Sequence, residues 1–472
     1  MHTPKTINPQ WRQRAVIFSA LLILALGIGC GGGASTMANG NPILPGGATM
    51  MQVNIGDAPA DRVVSFEATV GPIILTSSSG KTVTVLSAAR RIELSHLAET
   101  AEPLVLANLP QDTYSSASVM VSNPEITFLS STGAMSTLEP VINQTVTVNF
   151  TPALSVNSGA MVLHLDLNIA NSLNFDAQGN VTGVKFGPSS FSLTLSAVGP
   201  EDEQDPDTGE MEDVRGIVSL VSGTSFTINV GQNGSSLVFT TDANTRFDEG
   251  ASLATLLNMI VKVEGSTKPD GTLYAKEVEG TEDASGAELD GLVTSVQGNP
   301  AAQLSFTAQD GSGNGVDNEI GASLTADVSQ AQYRIDATHI DSSGLGGLPS
   351  TIFPFDATTV HAGQRVELAS SGGFSGRSLS AAMVSLRQQA LVGTVSGLSG
   401  PSAPATFTLT LPPDSAFAKL AAATAVTVFW QPGTDVHELT GVHNGDSIRV
   451  RGLAFFSGSG VNLIASRIGH TD

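Results

Sequence analysis

The chain contains very little cysteine, few aromatic residues and little positive charge. Its one cysteine, Cys30, has no second cysteine to pair with, so the fold is held without an internal disulfide bond. Lysine and arginine number 21 against 43 aspartate and glutamate residues, and the net charge is −22 at pH 7. Since nucleic acids are held mainly through lysine and arginine, we expect no nucleic-acid partner. Aromatic residues make up only 5% of the chain, which argues against sugar binding by ring stacking.

Long apolar runs are absent beyond the first thirty residues, and no later segment approaches the ~20 residues that cross a bilayer. The one such run, Ala15–Ile28, follows three basic residues and ends two places before Cys30. This order predicts an export signal at residues 1–29. It resembles the lipobox of bacterial lipoproteins, and the resemblance implies that Cys30 is lipidated and anchors the protein in the cell envelope, with the outer membrane favoured. An ordinary secretory signal with an incidental cysteine is the alternative.

Two segments without hydrophobic periodicity are predicted to be connectors. Residues 30–48 are rich in glycine, serine, asparagine and proline, a composition typical of a flexible tether. Residues 199–214 include eight acids between Glu201 and Asp213. Because these charges repel one another, we expect a solvated, protease-sensitive linker between independently folding halves.

Residues 49–198 contain about eight runs that alternate apolar and polar side chains, such as Met161–Ile169, and predict a two-sheet β-sandwich. The segments VNIGDAPAD (Val53–Asp61) and LANLPQDTYSSASVMV (Leu106–Val121) resemble a family of exported bacterial domains, domain of unknown function 4382. The resemblance implies a fold and an envelope setting but no activity. Asp57 in the first segment is predicted to close an Asx turn, with ligand binding as the alternative.

The remaining chain repeats one pattern three times, at residues 215–280, 281–389 and 390–472. Each copy opens on a glycine, an alternating strand and a glycine turn, and closes on a hairpin. The copies resemble domain of unknown function 5666, a small β-barrel-like domain, and the first fits best through KVEG and DGTLYAKEVE. The second copy departs most because of two insertions. We therefore expect an all-β protein, an N-terminal two-sheet β-sandwich followed by three small β-barrel-like repeat domains.

One insertion in the second copy carries a candidate calcium site. Asp310, Ser312 and Asn314 place oxygen atoms at alternate positions, Gly315 permits a sharp bend, and Glu319 follows closely. This spacing predicts a weak calcium-binding loop, and a plain surface loop is the alternative.

No motif of nucleophilic or metal-assisted catalysis is found in the sequence. We therefore expect a lipid-anchored, non-catalytic protein of the bacterial cell envelope, acting as a structural or adhesive scaffold. Its expected partners are the membrane, through the lipid on Cys30, and an envelope protein or glycan. The alternatives are a polysaccharide-binding module, an accessory protein of a hydrolase, or a hydrolase built from scattered carboxylates, since glycosidases need only two.

Overall fold

Alternating apolar residues produce a protein that is 59% strand and 6% helix, so the expected all-β class is confirmed. The computed structural model describes residues 48–471 except 59–61, 99, 158, 200–207, 231–235, 284, 317–318, 373, 375, 437–438 and 459. Cys30, the predicted signal and most of the predicted tether lie outside these residues. Residues 44–472 make one compact unit.

The N-terminal sandwich consists of two main sheets and a short hairpin. Its strands are β1 Ala48–Ala58, β2 Val63–Ser77, β3 Thr82–Leu86, β4 Arg90–Glu93, β5 Ala101–Pro110, β6 Thr113–Leu129, β7 Met135–Leu138, β8 Asn143–Ser155, β9 Met161–Asn168, β10 Leu173–Phe175, β11 Val181–Val184 and β12 Phe191–Ala197. One sheet has the order β12-β9-β1-β5, and the other joins β3, β2, β6 and β7 with β4 and β8 attached. Strand β1 runs parallel to β9 and antiparallel to β5.

The core of the sandwich forms from the inward side chains of these strands. On β9, Leu163, Leu165 and Leu167 are buried, while His164 and Asp166 between them are partly exposed. This is the period of two that a strand imposes. The buried leucines pack with Phe66 and Val119 in one continuous apolar cluster.

Three further sheets follow, and we call them the first, second and third barrels. The first contains β13 Glu210–Ser222, β14 Ser225–Asn229, β15 Ser236–Thr240, β16 Arg246–Asp248, β17 Met259–Thr267 and β18 Leu273–Asp283. The second contains β19 Ala287–Gln297, β20 Gln303–Gly313, β21 Ser323–Asp327, β22 Gln332–Ile335, β23 Arg365–Ser370, β24 Ser378–Ser380 and β25 Met383–Leu386, with helix α1 Pro349–Ile352. The third contains β26 Gln389–Ser396, β27 Ala405–Thr410, β28 Ala425–Trp430, β29 Asp435–Val436, β30 Ser447–Ser457 and β31 Gly460–His470, with helix α2 Ala416–Leu420.

Parallel pairing closes the barrels. In the first, β15 pairs with both β14 and β18, which completes a ring of five strands, and β28 does the same with β27 and β31 in the third. In the second barrel the closing strand is divided, because β24 pairs with β21 and β25 pairs with β23.

The glycine that opens each repeat is required by close packing of the backbone. A Cβ at Gly216, Gly291 or Gly393 would lie 2.2–2.5 Å from a carbonyl oxygen of the next strand. No real side chain tolerates that distance, so the recurrence of glycine in the sequence reflects the tight curvature of a small barrel.

The last part of the acidic segment, predicted to be a linker at residues 199–214, forms a strand in the structure. Strand β13 begins at Glu210, so residues 210–214 belong to a sheet, and Met211 and Val214 are buried. The repulsion expected among the acids is relieved by bases from elsewhere in the chain: Glu210 lies 2.8 Å from Lys276, and Asp213 pairs with Arg387. Residues 200–207 of the predicted linker lie outside the described residues.

Candidate functional site

Acids and bases from the first and second barrels, most of them buried, meet next to the sandwich. We call this group the central charge cluster. Its members are Asp213, Arg215, Lys262, Glu288, Asp290, Asp310, Arg365, Glu367 and Arg387. These residues lie on strands or directly beside them, on faces that point out of their own barrel and toward a neighbouring one.

Arg215 of β13 connects the first barrel to the second. Its guanidinium nitrogens lie 3.2 Å from Glu288, 3.0 Å from Glu367 and 3.3 Å from Asp310. Burial alone would lower the pKa of Arg215, but these carboxylates outweigh burial and raise the pKa well above its usual value. Lys262 of β17 adds a second link, since its Nζ lies 3.2 Å from Glu367.

Asp290 of β19 is held between two guanidinium groups of its own barrel. Its carboxylate lies 2.6 Å from Arg365 Nε and 3.5 Å from Arg387 Nε. Burial raises the pKa of Asp290, but the two arginines outweigh burial and lower the pKa. Arg387 also binds Asp213 of the first barrel, so the carboxylates of two barrels share one cation.

A histidine of the sandwich borders the cluster. His96 lies in the short turn after β4, with Nδ1 3.0 Å from Glu93 and Nε2 3.0 Å from Glu102. One ligand atom each from His96, Glu102 and Asp310 lies within 4.8 Å of the others, a grouping that could hold a metal ion.

The protonation of His96 weighs against a metal there. Burial lowers the pKa of His96, but the hydrogen bonds to Glu102 and Glu93 outweigh burial and raise it to about 10. At neutral pH both ring nitrogens therefore carry protons, whereas a metal ligand must be a neutral imidazole. The arrangement is better described as an imidazolium between two carboxylates. Sequence reasoning did not select His96 or Glu102, because their proximity to Asp310 arises only in the fold.

The predicted calcium loop does not have the expected geometry. Asp310 and Ser312 lie within strand β20 and not in a wrapped loop, and Asp310 is paired with Arg215. Ser312 is buried, whereas Asn314 is exposed beyond the strand end. The structure brings Asp310 close to His96 and Glu102, and the calcium set with Ser312, Asn314 and Glu319 stays a prediction.

The other predicted positions remain untested as sites. Asp57 lies near the end of β1, in register with Leu167 of the parallel strand β9. Cys30, the predicted lipidation site, lies outside the described residues. Within the described residues, no helix combines the length and apolarity needed to cross a membrane.

A cavity of about 110 Å³ lies where the sandwich meets the second and third barrels. Its polar lining comes from the turn after β4, from strands β20, β23, β26 and β30, and from the start of helix α2. The polar side chains include His96, Gln309, Arg365, Gln389, Ser415 and Arg451. Sequence reasoning did not identify this cavity, because its walls come from three separate parts of the chain.

Together the sheets define an all-β protein with one sandwich and three barrels. Residues 215–279 match the model of a family described as a domain of unknown function, DUF5666. The match spans most of the first barrel, from within β13 to within β18, and confirms the expected resemblance for that copy. Among curated proteins no relative matches the chain. The resemblance of residues 49–198 to domain of unknown function 4382 stays a prediction.

Proposed function

We propose that the protein is a non-catalytic scaffold of the bacterial cell envelope, anchored by a lipid on Cys30. The observation that carries the scaffold proposal is the central charge cluster. Its ion pairs join separate barrels, as when Arg215 and Lys262 of the first barrel both bind Glu367 of the second. The buried charges thereby serve to fix one barrel against another.

Buried ion pairs can fix one barrel against another because they are stable only when both charges are placed correctly. Taking charges out of water costs several kcal/mol per ion, and the cost is offset only when each charge meets its partner at the right place. Arg215 and Glu288 are 3% and 0% exposed at their side chains, so a small displacement of one barrel would leave both charges uncompensated. Such a junction favours a single arrangement of the units, which is what a scaffold needs to present its surfaces at fixed distances.

Direct hydrogen bonds between units support the same proposal. Gln364 of the second barrel donates to the carbonyl of Ala454 in the third at 2.8 Å. Gln309 of the second barrel donates to the carbonyl of Val64 in the sandwich, also at 2.8 Å. The apolar core of the second barrel also extends to Leu453 of the third.

The anchor is proposed from the sequence. An apolar run of export-signal length ends just before the single cysteine, and stable membrane attachment needs about two acyl chains, which a lipoprotein cysteine carries. The test is fractionation of cells that express the whole chain, together with incorporation of labelled palmitate. We expect the wild type in the membrane fraction, labelled, and Cys30→Ser unlabelled.

Ser35→Ala is the matched control, because it changes a polar residue of the same segment and should leave both label and location unchanged. Unlabelled wild-type protein in the soluble periplasmic or culture fraction would contradict the anchor. It would leave the scaffold proposal to be judged on the junction alone.

The positions of the tyrosines and of Trp430 give no support to the polysaccharide-binding alternative. Sugar sites present exposed rings for stacking. Tyr114 is 1% exposed, Trp430 6% and Tyr274 8%, and Tyr333 packs edge-on against Phe355. These rings are used in packing, so we retain the scaffold as the leading function.

A further inference from the structure

The cavity of about 110 Å³ is lined by three basic side chains and by no carboxylate among the described residues. The three are His96, Arg365 and Arg451, which come from the sandwich, the second barrel and the third barrel. Since the chain as a whole carries twice as many acids as bases, a wall with only positive groups is the reverse of what composition predicts.

Two of the three cations are already compensated outside the cavity. His96 is held by Glu93 and Glu102, and the Nε of Arg365 lies 2.6 Å from Asp290. Among the described residues, the remaining side-chain nitrogens of Arg365 make one further hydrogen bond, from Nη1 to the carbonyl oxygen of His96 at 3.4 Å.

Arg451 is not compensated in this way. Its side chain is buried, and its Nη1 donates to the carbonyl oxygen of Ala98 at 3.3 Å. Among the described residues, no carboxylate oxygen lies within the 4.0 Å of an ion pair with its guanidinium. Burial, together with the nearby Arg365 and Arg467, lowers the pKa of Arg451 despite longer-range attraction from Glu212 and Asp213. Those two acids line two smaller cavities that Arg451 also borders, but not the cavity of about 110 Å³.

The position of Arg451 in its repeat gives an independent reason to regard it as special. The closing strands read Lys-Val-Glu at 262–264, Arg-Val-Glu at 365–367 and Arg-Val-Arg at 449–451. Glu264 and Arg451 occupy the same place, each directly before a bulge at a glycine. The third barrel therefore carries a cation where the first two carry Glu264 and Glu367.

We propose that this cavity binds a small oxyanion of the size of phosphate or sulfate, with Arg451 as its principal ligand. A guanidinium has five N–H donors in a planar fork that matches two oxygen atoms of such an anion. The hydroxyl of Ser415, whose oxygen accepts from the backbone N–H of Ala418, retains its own proton to donate into the cavity. The bound anion supplies the negative charge that the buried arginine lacks.

The volume suits this class of ligand. A water molecule needs roughly 10–15 Å³ of cavity volume. A cavity of about 110 Å³ therefore holds several water molecules, or one tetrahedral anion with part of its hydration. Because the walls come from three units, an anion that binds only the folded form would also hold those units together.

The experiment measures binding of inorganic phosphate to the full chain by calorimetry and by its melting temperature. Sodium chloride at equal ionic strength is the reference, and sulfate is a second probe. We expect saturable binding and a saturable rise in melting temperature with phosphate, beyond the effect of chloride. Arg451→Gln should lose the binding, Arg451→Lys should weaken it by at least tenfold, and the exposed Arg246→Gln should bind as the wild type does.

Phosphate and chloride acting equally on the wild type, or unchanged binding by Arg451→Gln, would overturn the proposal. If Arg451→Gln does not fold, Ser415→Ala decides the matter, because it removes a donor without exposing a charge. Unchanged affinity in that variant would then reject the site, and reduced affinity would support it. None of these outcomes depends on whether Cys30 carries a lipid.

Discussion

Replacing Arg215 by methionine tests whether the central charge cluster holds the barrels together. Methionine keeps much of the length of the side chain but removes the charge. Three carboxylates would lose a cation that lies 3.0–3.3 Å away, and two of them, Glu288 and Glu367, have side chains that are 0% and 2% exposed. Because breaking a buried ion pair leaves an uncompensated charge, we expect the free energy of unfolding to fall by about 3–5 kcal/mol.

Arg246→Met is the matched control. Arg246 also contacts two carboxylates, Asp248 and Glu277, but its side chain is 64% exposed. Exposed ion pairs contribute about 0–1 kcal/mol, so this variant should remain close to the wild type. The two substitutions are chemically identical, and burial is the main difference between them.

The assay is urea denaturation followed by far-ultraviolet circular dichroism. Because the slope of the unfolding free energy against urea increases with protein size, the midpoints are compared directly, and the Arg215 variant should unfold at a lower urea concentration than the wild type. The difference should persist in high salt, because buried charges are screened weakly. Adding Glu288→Gln to Arg215→Met should restore part of the loss. Equal midpoints for Arg215→Met and Arg246→Met would refute the assignment of the cluster as the junction.

Three further predictions address pH, backbone packing and the acidic segment. The pKa of His96 is raised in the fold, so its contribution to the free energy of unfolding is fully present below about pH 6.5 and is lost as pH rises toward about 10. The difference in stability between the wild type and His96→Gln should therefore shrink over that range. A constant difference would contradict this prediction. Gly265→Ala would place a Cβ 2.1 Å from a carbonyl oxygen, whereas a Cβ at Gly187 would meet open space. In the same denaturation assay, Gly265→Ala should lower the free energy of unfolding by about 1–3 kcal/mol and Gly187→Ala by far less. A protease site engineered into residues 201–207 should yield two fragments that co-elute in gel filtration, because the barrels hydrogen-bond to the sandwich, as Gln309 does to the carbonyl of Val64 and Arg451 to that of Ala98. Separate elution would show that these contacts do not hold the two fragments together.

The fold class could be predicted because it depends on local pattern. The run Met161–Ile169 alternates apolar and polar residues, and the structure has strand β9 at Met161–Asn168 with its leucines buried. A strand on the surface of a core imposes that period on the sequence, so the sequence reveals the strand. The first barrel was likewise recognisable from its closing hairpin, and residues 215–279 match the DUF5666 family.

The central charge cluster could not be predicted, because its pairs are distant in the sequence. Arg215 and Glu367 are separated by 152 residues, and each lies in a segment where a charge would ordinarily face solvent. Local composition made Glu210 and Asp213 resemble part of a solvated acidic linker. In the fold, β13 pairs with β17, and Lys276 and Arg387 from distant parts of the chain compensate the two acids.

The spacing that predicts a calcium loop has a second explanation for a related reason. Oxygen donors at every second position are typical of a calcium loop, but a strand also places every second side chain on one face. Asp310 and Ser312 have that spacing because they belong to β20. The sequence contains the spacing but not the partner strand, and pairing of β20 with β19 decides between the two interpretations.

Divergence of charge among the three barrels makes them unequal despite their common pattern. Arg215 and Lys262 of the first barrel face the second barrel, where Glu367 contacts both. At the place of Glu367 the third barrel has Arg451, so it could not replace the second barrel without setting three cations against one another. Small β-barrels with equivalent backbones would otherwise pack in any order, since apolar contact discriminates weakly among similar surfaces. The buried charges therefore favour contact of the first barrel with the second, at a cost in desolvation that a purely apolar junction would not carry.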